Sequence, residues 1–357
     1  MTKQMELMRT YQKITPESLQ KIVDRHNEIV DIGRKIKVEE GSRIFLVANG
    51  SSGEGVRVAT YLYERILGIK PYAVNPYQFN HYPSKLSRKD IVLALSQTGT
   101  SKEVVDALRL AKKEGAQTIG VTTIANTPIT EVADFVVLLP EGFEDVDYKV
   151  VGVVVNMLAV MLVGYGIGES MGLKTTLTTD MQKMENSIAR YNENADTVKK
   201  WVESNFALIN SARSFTVVGS GPLKEAADEL AIKITEITNK LACSFELEEY
   251  LHGGCAVTDE DHLLLMVVGK ENKDYALNGF NASTKYGKKV VWLGPDSPVG
   301  QPKIALSEDW IYAIFDAMAA VHAFVITFGE LGNYGAIGTE LFAFYQKELK
   351  VRESKKA

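Results

Sequence analysis

Short apolar runs alternate with helical patterns along the first part of this chain, and this alternation restricts the fold more than any other feature. The run Ile91–Leu95 is uninterrupted, and a helical pattern over residues 101–114 follows it. Similar runs occupy residues 43–48, 72–74, 117–121 and 135–139. Apolar strands separated by helices are typical of a parallel sheet that helices cover on both faces. The sequence therefore predicts an α/β fold.

The second part of the chain repeats the pattern of the first. Arg213 and Phe215 follow Arg43 and Phe45 at the same spacing of about 170 residues. Apolar runs that echo the first set follow at residues 263–268 and 289–293. Because a shared period of this length indicates a duplication, we expect two similar halves joined by helices.

Composition and charge exclude several classes of protein. Of the 357 residues, 45% are hydrophobic, which is enough for a sizeable core. The net charge of −5 and the lack of any long basic block argue against nucleic acid as a partner. The two cysteines, Cys243 and Cys255, are too few for a disulfide framework or a zinc site. We expect two reduced core thiols, no metal, no cofactor and a cytoplasmic location.

Residues 150–168 form a stretch of 19 residues without a charge, long enough to span a bilayer. The stretch contains Asn156 and four glycines, and no basic cluster flanks it. A helix that is apolar on every side is also typical of a protein core or a subunit interface. We therefore expect a buried helix and no membrane partner.

A polar loop from Ser96 to Ser101, with the sequence SQTGTS, follows the run Ile91–Leu95 and opens the next helix. Ligands of open α/β sheets bind at such strand ends, and a helix N-terminus attracts an anion. Four of the six side chains are hydroxyls, and the loop has none of the Gly-Lys-Ser/Thr order of a nucleotide-binding Walker loop. The chemistry of this loop fits either a monophosphate site or a polar helix cap.

Three further residues in the second half are candidates for function. Lys233 and Glu236 are three positions apart on a predicted helix, so they lie on one face of it. His252 follows Glu236 by sixteen residues and precedes two glycines. Residue types alone fit either an acid–base pair or a surface ion pair with a polar loop histidine. His322 lies within an apolar helical stretch and is interpreted as a core or interface histidine.

The turn Gly50-Ser51-Ser52 and the loop from Ser96 to Ser101 resemble motifs of the sugar isomerase (SIS) family. Two such domains in tandem resemble the isomerase part of glucosamine-6-phosphate synthase and the ketosamine-6-phosphate deglycases. The resemblance implies two SIS domains, each a mainly parallel five-stranded sheet flanked by helices in three layers. The implied segments are an N-terminal helical segment (1–40), a first SIS domain (41–172), a connecting helix (173–212), a second SIS domain (213–330) and a C-terminal tail (331–357).

The resemblance also implies roles for individual residues. Glu236 matches the general base of the family, and His252 matches its ring-opening or proton-donating histidine. The residues implied to hold the substrate phosphate are Ser52, Ser96, Gln97, Thr98 and Ser101. Further candidates for substrate contact are Ser51, Lys233 and Lys149.

The activity implied by the resemblance is proton transfer between C1 and C2 of an open-chain sugar phosphate. In the deglycase branch, hydrolysis of the resulting imine releases a hexose 6-phosphate and a free amino acid. The alternatives are an amino-sugar-phosphate isomerase or deaminase, and a sugar-phosphate-binding module without catalysis. Tandem relatives are dimers, so the resemblance implies a homodimer or higher homo-oligomer. In such relatives this histidine often reaches the active site of the neighbouring subunit, and the sequence leaves open whether His252 acts in its own subunit or across a dimer.

One departure from the family bears on the choice between these activities. The synthases carry a C-terminal Pro-Arg-Asn-Leu-Ala-Lys segment whose lysine reaches the sugar. Residues 331–336 of this chain occupy the corresponding position and contain neither Arg nor Lys. The difference favours the deglycase over synthase-type chemistry.

Overall fold

The structure, a computed structural model, describes residues 2–82, 85–140, 142, 144–257, 259–335 and 339–353. The chain divides into two compact units. The first unit collects residues 17–144, 151–181 and 340–357, and the second unit collects residues 1–16, 145–150 and 182–339. The boundaries predicted from the sequence run in succession along the chain, whereas each compact unit combines segments from separate parts of it.

The sheet of the first unit consists of the apolar runs recognised in the sequence. Its strands are β1 (Ile44–Val47), β2 (Tyr72–Val74), β3 (Ile91–Leu95), β4 (Gln117–Thr122) and β5 (Phe135–Leu138). They pair in parallel in the order β2-β1-β3-β4-β5. Every residue of β1 and β3 is buried, as expected for strands covered on both faces. The predicted five-stranded parallel sheet is confirmed in this unit.

Helices separate the strands of the first unit. Helix α1 (Lys3–Asp24) contributes residues to both units. The helices that follow are α2 (His26–Arg34), α3 (Ser51–Leu67), α4 (Pro76–His81), α5 (Lys102–Lys113), α6 (Pro128–Val132) and α7 (Val151–Ser170). In α5, Val104, Val105, Leu108 and Ala111 are buried, which is the spacing of one apolar helix face.

The second unit has a smaller sheet. Its strands are β6 (Ser214–Gly219), β7 (Leu241–Glu246), β8 (His262–Val267) and β9 (Lys289–Leu293). They are parallel and follow the order β7-β6-β8-β9, which repeats the order of the first four strands of the first unit. The remaining helices are α8 (Leu177–Ser204), α9 (Phe206–Ser211), α10 (Leu223–Thr238), α11 (Leu247–Tyr250), α12 (Lys273–Lys285), α13 (Ala313–Leu331) and α14 (Thr339–Glu348).

The number of strands in the second sheet differs from the prediction. Within the described residues this sheet has four strands, so the prediction of five strands in each domain is wrong for this unit. Thr15 and Pro16 lie inside α1, although a threonine followed by a proline is typical of a helix start. The Thr15 hydroxyl donates to the carbonyl of Tyr11 at 2.9 Å, which is the bond of a threonine inside a helix and not of a cap.

Two helices, α7 and α13, are long and apolar enough to cross a membrane by length and composition. Their apolar windows are 100% and 89% buried inside the protein. Helix α7 packs against α2 and α3 within the first unit. The burial predicted for residues 150–168 is therefore confirmed, and α7 is the central core helix of its unit.

Close packing of α7 against α2 depends on glycine. A Cβ atom at Gly166 would lie 2.0 Å from the carbonyl oxygen of Val30 and 2.8 Å from the Cα atom of Gly33. Gly166→Ala should therefore lower the free energy of unfolding by about 1–3 kcal/mol, the range typical of overpacking, as measured by urea denaturation.

The matched control is Gly279→Ala, a glycine within α12 whose Cβ atom would meet nothing nearer than 3.9 Å. Alanine is favoured over glycine in helices by about 0.5–1 kcal/mol, so this variant should be slightly stabilised. Equal stabilities of the two variants would show that the approach of α7 to α2 does not require glycine.

Candidate functional site

The loop from Ser96 to Ser101 lies between the buried strand β3 and helix α5 in the first unit. Gly99 has a φ of +66°, and a Cβ atom there would lie 2.1 Å from Oγ1 of Thr127. The Gly99 N–H donates to the carbonyl of Ser96 at 2.9 Å, and its own carbonyl accepts from the N–H of Ile129 at 3.1 Å. These bonds fix a tight turn that only glycine fits.

The hydroxyl groups of this loop contact one another. The Ser96 hydroxyl donates to Oγ of Ser101 at 3.0 Å, and Oγ1 of Thr98 lies 2.9 Å from Oγ1 of Thr100. Ser101 is the N-cap residue of α5, yet its side chain makes no capping hydrogen bond. The hydroxyls are thus brought together as a group, and the cap interpretation does not account for them.

Gln97 has a different place in the loop. Its side-chain nitrogen donates to Oε2 of Glu144 at 2.9 Å. The Glu144 carboxylate, which is 2% exposed, also accepts from the N–H groups of Val151 and Gly152 at 2.9 and 2.8 Å. A carboxylate at a helix N-terminus satisfies N–H groups that have no partner inside the helix. Gln97 thereby ties the loop to the start of α7.

The turn Gly50-Ser51-Ser52 begins α3 at the end of β1. Gly50 has a φ of +54°, so the turn uses a conformation that favours glycine. Both serines are half-buried. The strand order places β1 beside β3, and the turn and the loop therefore follow neighbouring strands at the carboxyl edge of the first sheet.

A group of ionisable residues lies on α10 and α13 in the second unit, and we call it the Lys233 cluster; its members are Glu229, Lys233, Glu236 and His322. Lys233 is 1% exposed. Its ammonium nitrogen lies 3.2 Å from Oε1 of Glu229 and 3.0 Å from Oε2 of Glu236. The structure brings Lys233 and Glu236 together as predicted, and the burial of Lys233 rules out a surface ion pair.

The members of the Lys233 cluster other than Glu236 are almost fully buried. Nε2 of His322 lies 3.2 Å from Oε1 of Glu229, and both side chains are at most 1% exposed. Glu236 is half-buried at the end of the group. Burial raises the pKa of Glu236, the nearby Glu229 carboxylate raises it further, and Lys233 opposes the rise.

Two residues that the sequence analysis did not select belong to this group, and a third lies beside it. Glu229 precedes Lys233 by one helical turn, and this spacing is a signal visible in the sequence. His322 was seen only as a core histidine, because its partner Glu229 is 93 residues away. Tyr148 is 6% exposed, and the negative charge of Glu236 contributes to the raised pKa of its phenol, after the larger effect of burial.

The structure leaves two predicted residues outside the Lys233 cluster. His252 lies in the turn after α11, and its side chain is 68% exposed. Its Nε2 atom lies 3.5 Å from Oε1 of Glu248, and within the described residues no ion pair joins it to Glu236. The ammonium group of Lys149 donates to the carbonyl of Val146 at 2.6 Å.

The cysteines differ from the prediction in their burial. Cys243 is exposed on the edge strand β7, and Cys255 is half-buried, so the prediction of two core thiols is wrong. Strand β7 has one neighbour in its sheet, and its side chains are therefore less covered than those of the central strands. Both cysteines are free. In the described part of the chain, no group of three or more His, Cys, Asp or Glu residues is suited to hold a metal ion.

Comparison with known proteins relates the first sheet to a known family. Residues 37–165 match the family described as SIS domain. A proposed phosphosugar isomerase from Clostridium difficile 630 superimposes with a TM-score of 0.84 at 20% identity, over 94% of this chain and 97% of that one. This likeness extends the shared fold to nearly the whole chain.

Two curated relatives match at lower coverage. The chain is 26% identical over 235 residues to the fructoselysine 6-phosphate deglycase of Escherichia coli (strain K12), which covers 64% of this chain and 66% of that protein. It is 26% identical over 291 residues to the isomerizing glutamine–fructose-6-phosphate aminotransferase of Chlorobaculum tepidum, which covers 80% of this chain and 46% of that protein. The chain thus spans just under two thirds of the deglycase and about half of the aminotransferase.

The buried ammonium group of Lys233 makes the Lys233 cluster sensitive to substitution. Lys233→Met removes the ammonium group that lies between the carboxylates of Glu229 and Glu236. Breaking a buried ion pair in this way should lower the free energy of unfolding at pH 7 by about 3–5 kcal/mol, as measured by urea denaturation.

Lys224→Met on the same helix is the matched control. Lys224 pairs with Asp228 four residues later, and both side chains are over one fifth exposed. Loss of a pair that solvent reaches should change stability by less than about 1 kcal/mol. Similar losses in the two variants would contradict the role of burial at Lys233.

Proposed function

We propose that this protein is a sugar-phosphate deglycase, which cleaves a 6-phosphorylated glycated amino acid into a hexose 6-phosphate and the free amino acid. Substrates of the fructoselysine or glucoselysine 6-phosphate type fit this proposal. The observation that carries it is the half-buried carboxylate of Glu236, whose pKa is raised above its ordinary value of 4.5. The deglycase relative from Escherichia coli supports the choice of reaction.

Glu236 has the properties that a base for a carbon acid requires. A general base works best when its pKa lies near the working pH, and burial moves that of a carboxylate in this direction. With a ketosamine, removal of the C1 proton and its return to C2 convert the carbon–nitrogen bond into an imine. Water then adds to the imine carbon, and the amine leaves. Lys233 holds the Glu236 carboxylate through its 3.0 Å contact.

The 96–101 loop is the proposed phosphate site of the same reaction. Ser52, Ser96, Thr98 and Ser101 are the proposed side-chain contacts of the phosphate, with Ser51 as a further contact. The Ser96 hydroxyl contributes by donating to Ser101, whose own O–H is then directed to the ligand. The N–H groups of Gln97, Thr98 and Thr100 have no backbone partner within the described residues, so they are available to an anion. Because the Gln97 side chain is bonded to Glu144, we assign its side chain to shaping the loop and its N–H to the phosphate.

We assign proton donation to His252, and its exposure supports action on a second copy of the chain. An imidazole that is 68% exposed in the monomer is accessible to another subunit. A homodimer is accordingly part of the proposal, and mixing Glu236→Gln and His252→Ala subunits tests it. Recovery of activity in the mixture, where each variant alone is inactive, would support a shared site.

A second candidate function is an amino-sugar-phosphate isomerase or deaminase. The match to the isomerizing aminotransferase covers 80% of this chain, more than the 64% covered by the deglycase match. Both reactions need the same base and phosphate site. They differ in the amine that leaves the sugar, and an analysis of products therefore separates them.

A product assay tests the proposed reaction. Fructoselysine 6-phosphate, glucoselysine 6-phosphate and glucosamine 6-phosphate are each incubated with the full chain, and free lysine, ammonia and hexose 6-phosphate are measured. We expect release of lysine with glucose 6-phosphate or fructose 6-phosphate. Glu236→Gln should lower turnover by about 10²- to 10⁴-fold, the contribution typical of a general base.

The outcomes of this assay are distinct. Ammonia from glucosamine 6-phosphate, without lysine from either glycated substrate, would move the assignment to the second candidate. Full turnover by Glu236→Gln would falsify the role of Glu236 as the base. Tight binding of hexose 6-phosphate without any turnover would indicate a binding module.

The raised pKa of Glu236 also predicts the pH dependence of the reaction. A base must be deprotonated to act, so kcat/KM should fall as the pH drops through the pKa of Glu236. Because burial raises that pKa, the acid limb should lie above pH 4.5. A pH profile measured with saturating and subsaturating substrate checks this, and an acid limb at or below 4.5 would show that another group acts as the base.

A further inference from the structure

The C-terminal tail contacts the 96–101 loop within the first unit. Ser101 and Arg352 form an isolated antiparallel bridge. The N–H of Lys102 donates to the carbonyl of Val351 at 3.0 Å, and the N–H of Glu353 donates to the carbonyl of Thr100 at 2.8 Å. These two bonds fix the register of the tail and present the side chain of Arg352 to the loop.

An ion pair holds the tail on the far side of Arg352. Nη2 of Arg109, on helix α5, lies 2.9 Å from Oε2 of Glu353, and Nη1 of Arg109 also contacts this carboxylate. A bidentate guanidinium–carboxylate pair restrains geometry as well as distance. The backbone of Arg352 is therefore fixed on both sides.

The guanidinium group of Arg352 is bonded to the hydroxyls of the loop. Its Nη1 atom donates to Oγ1 of Thr98 at 3.0 Å and to Oγ of Ser101 at 2.9 Å. The Nε and Nη2 atoms, which carry three more N–H donors, have no hydrogen-bond partner within the described ranges. One edge of the guanidinium is thus used to dock on the loop, and the other edge is open.

The remaining cations near the loop are neutralised. Lys102 pairs with Asp106 on the next turn of α5. Arg109 pairs with both Asp106 and Glu353. Arg352, which contacts the hydroxyls of the loop, has no carboxylate partner among the residues that the structure describes.

The contact with Arg352 also decides the direction of the Ser101 hydroxyl. A serine oxygen has two lone pairs and one proton to donate. Both lone pairs of Ser101 are occupied, one by the Ser96 hydroxyl and one by Arg352. Ser101 can therefore make a further hydrogen bond only by donating its own O–H, and no described residue accepts that bond. The loop and the tail together present donors and one positive charge, which fits a ligand that only accepts.

We propose that Arg352 binds the substrate phosphate together with the 96–101 loop, so that the C-terminal tail completes the phosphate site. The ligand class is a sugar monophosphate in its dianionic form. Arg352 is a specificity-determining residue, because an unpaired guanidinium distinguishes a phosphorylated sugar from a neutral one. The inference rests on the proposed function of the loop. It adds a positively charged residue to the phosphate site, and the loop itself contains none.

Titration calorimetry of the full chain with glucose 6-phosphate tests the role of Arg352. Arg352→Gln should raise Kd by roughly 10- to 100-fold, the range of a hydrogen-bonded charge. Arg352→Lys keeps the positive charge but lacks the two-pronged guanidinium. Its Kd should lie between those of the wild type and Arg352→Gln. Lys350→Gln is the matched control, since it removes the same charge two residues earlier in the tail and should change Kd by less than about twofold.

The pH dependence separates direct contact from a structural effect. A phosphate monoester gains its second negative charge above about pH 6. The ratio of the Kd values of Arg352→Gln and the wild type should therefore be larger at pH 8 than at pH 5. A ratio that does not change with pH would contradict contact between Arg352 and the phosphate.

The outcomes distinguish this inference from the proposed function. If the wild type binds glucose 6-phosphate and Arg352→Gln binds it equally well, the inference about Arg352 fails and the loop stands. If Arg352→Gln binds it more tightly, the tail blocks the site and the inference fails as well. If the wild type binds no hexose 6-phosphate while Ser101→Ala behaves identically, the phosphate site and the inference fail together.

Discussion

The buried ammonium group of Lys233 determines how the chemistry of the second unit is arranged. An ammonium ion that is 1% exposed loses its hydration, and the unit compensates this with carboxylates on either side. Glu229 is held in the core with His322, whereas Glu236 is left half-buried at the accessible end. The same burial that makes the cluster sensitive to substitution raises the pKa of Glu236. The sensitivity of the cluster to substitution and the raised pKa of Glu236 therefore have one physical origin.

In the first unit, the main structural requirement is different: polar groups must be held at the end of a buried strand. Gly99 allows the turn, and the Glu144 carboxylate fastens Gln97 to the N-terminus of α7. The hydroxyls are then oriented by one another, because each oxygen has a fixed number of lone pairs. Hydrogen bonds within the protein thereby orient the donors of the loop, and donors that are oriented in advance lose little entropy on binding.

Local spacing in the sequence was sufficient to predict part of this structure. The run Ile91–Leu95 and the following helix were predicted because both have clear periodicity. The edge strand β7 was not predicted, since its exposed and half-buried side chains lack an apolar pattern. The pair Lys233 and Glu236 followed from helical spacing, but its burial did not, because α13 packs on α10 and its His322 contacts Glu229 from 93 residues away.

Arg352 marks the limit of what the sequence indicates about the site. Its partner Ser101 is 251 residues away, and no sequence motif predicts that these two residues are in contact. The contacts that shape the loop are far more local, such as the hydrogen bond between Ser96 and Ser101, which are five positions apart. A terminal segment held by a few exposed hydrogen bonds opens more easily than a core element. If phosphate binding needs the tail in place, the apparent Kd equals the intrinsic Kd divided by the docked fraction of the tail. In that case the ion pair between Arg109 and Glu353, which is one of the contacts that hold the tail, would affect phosphate affinity without contacting the phosphate.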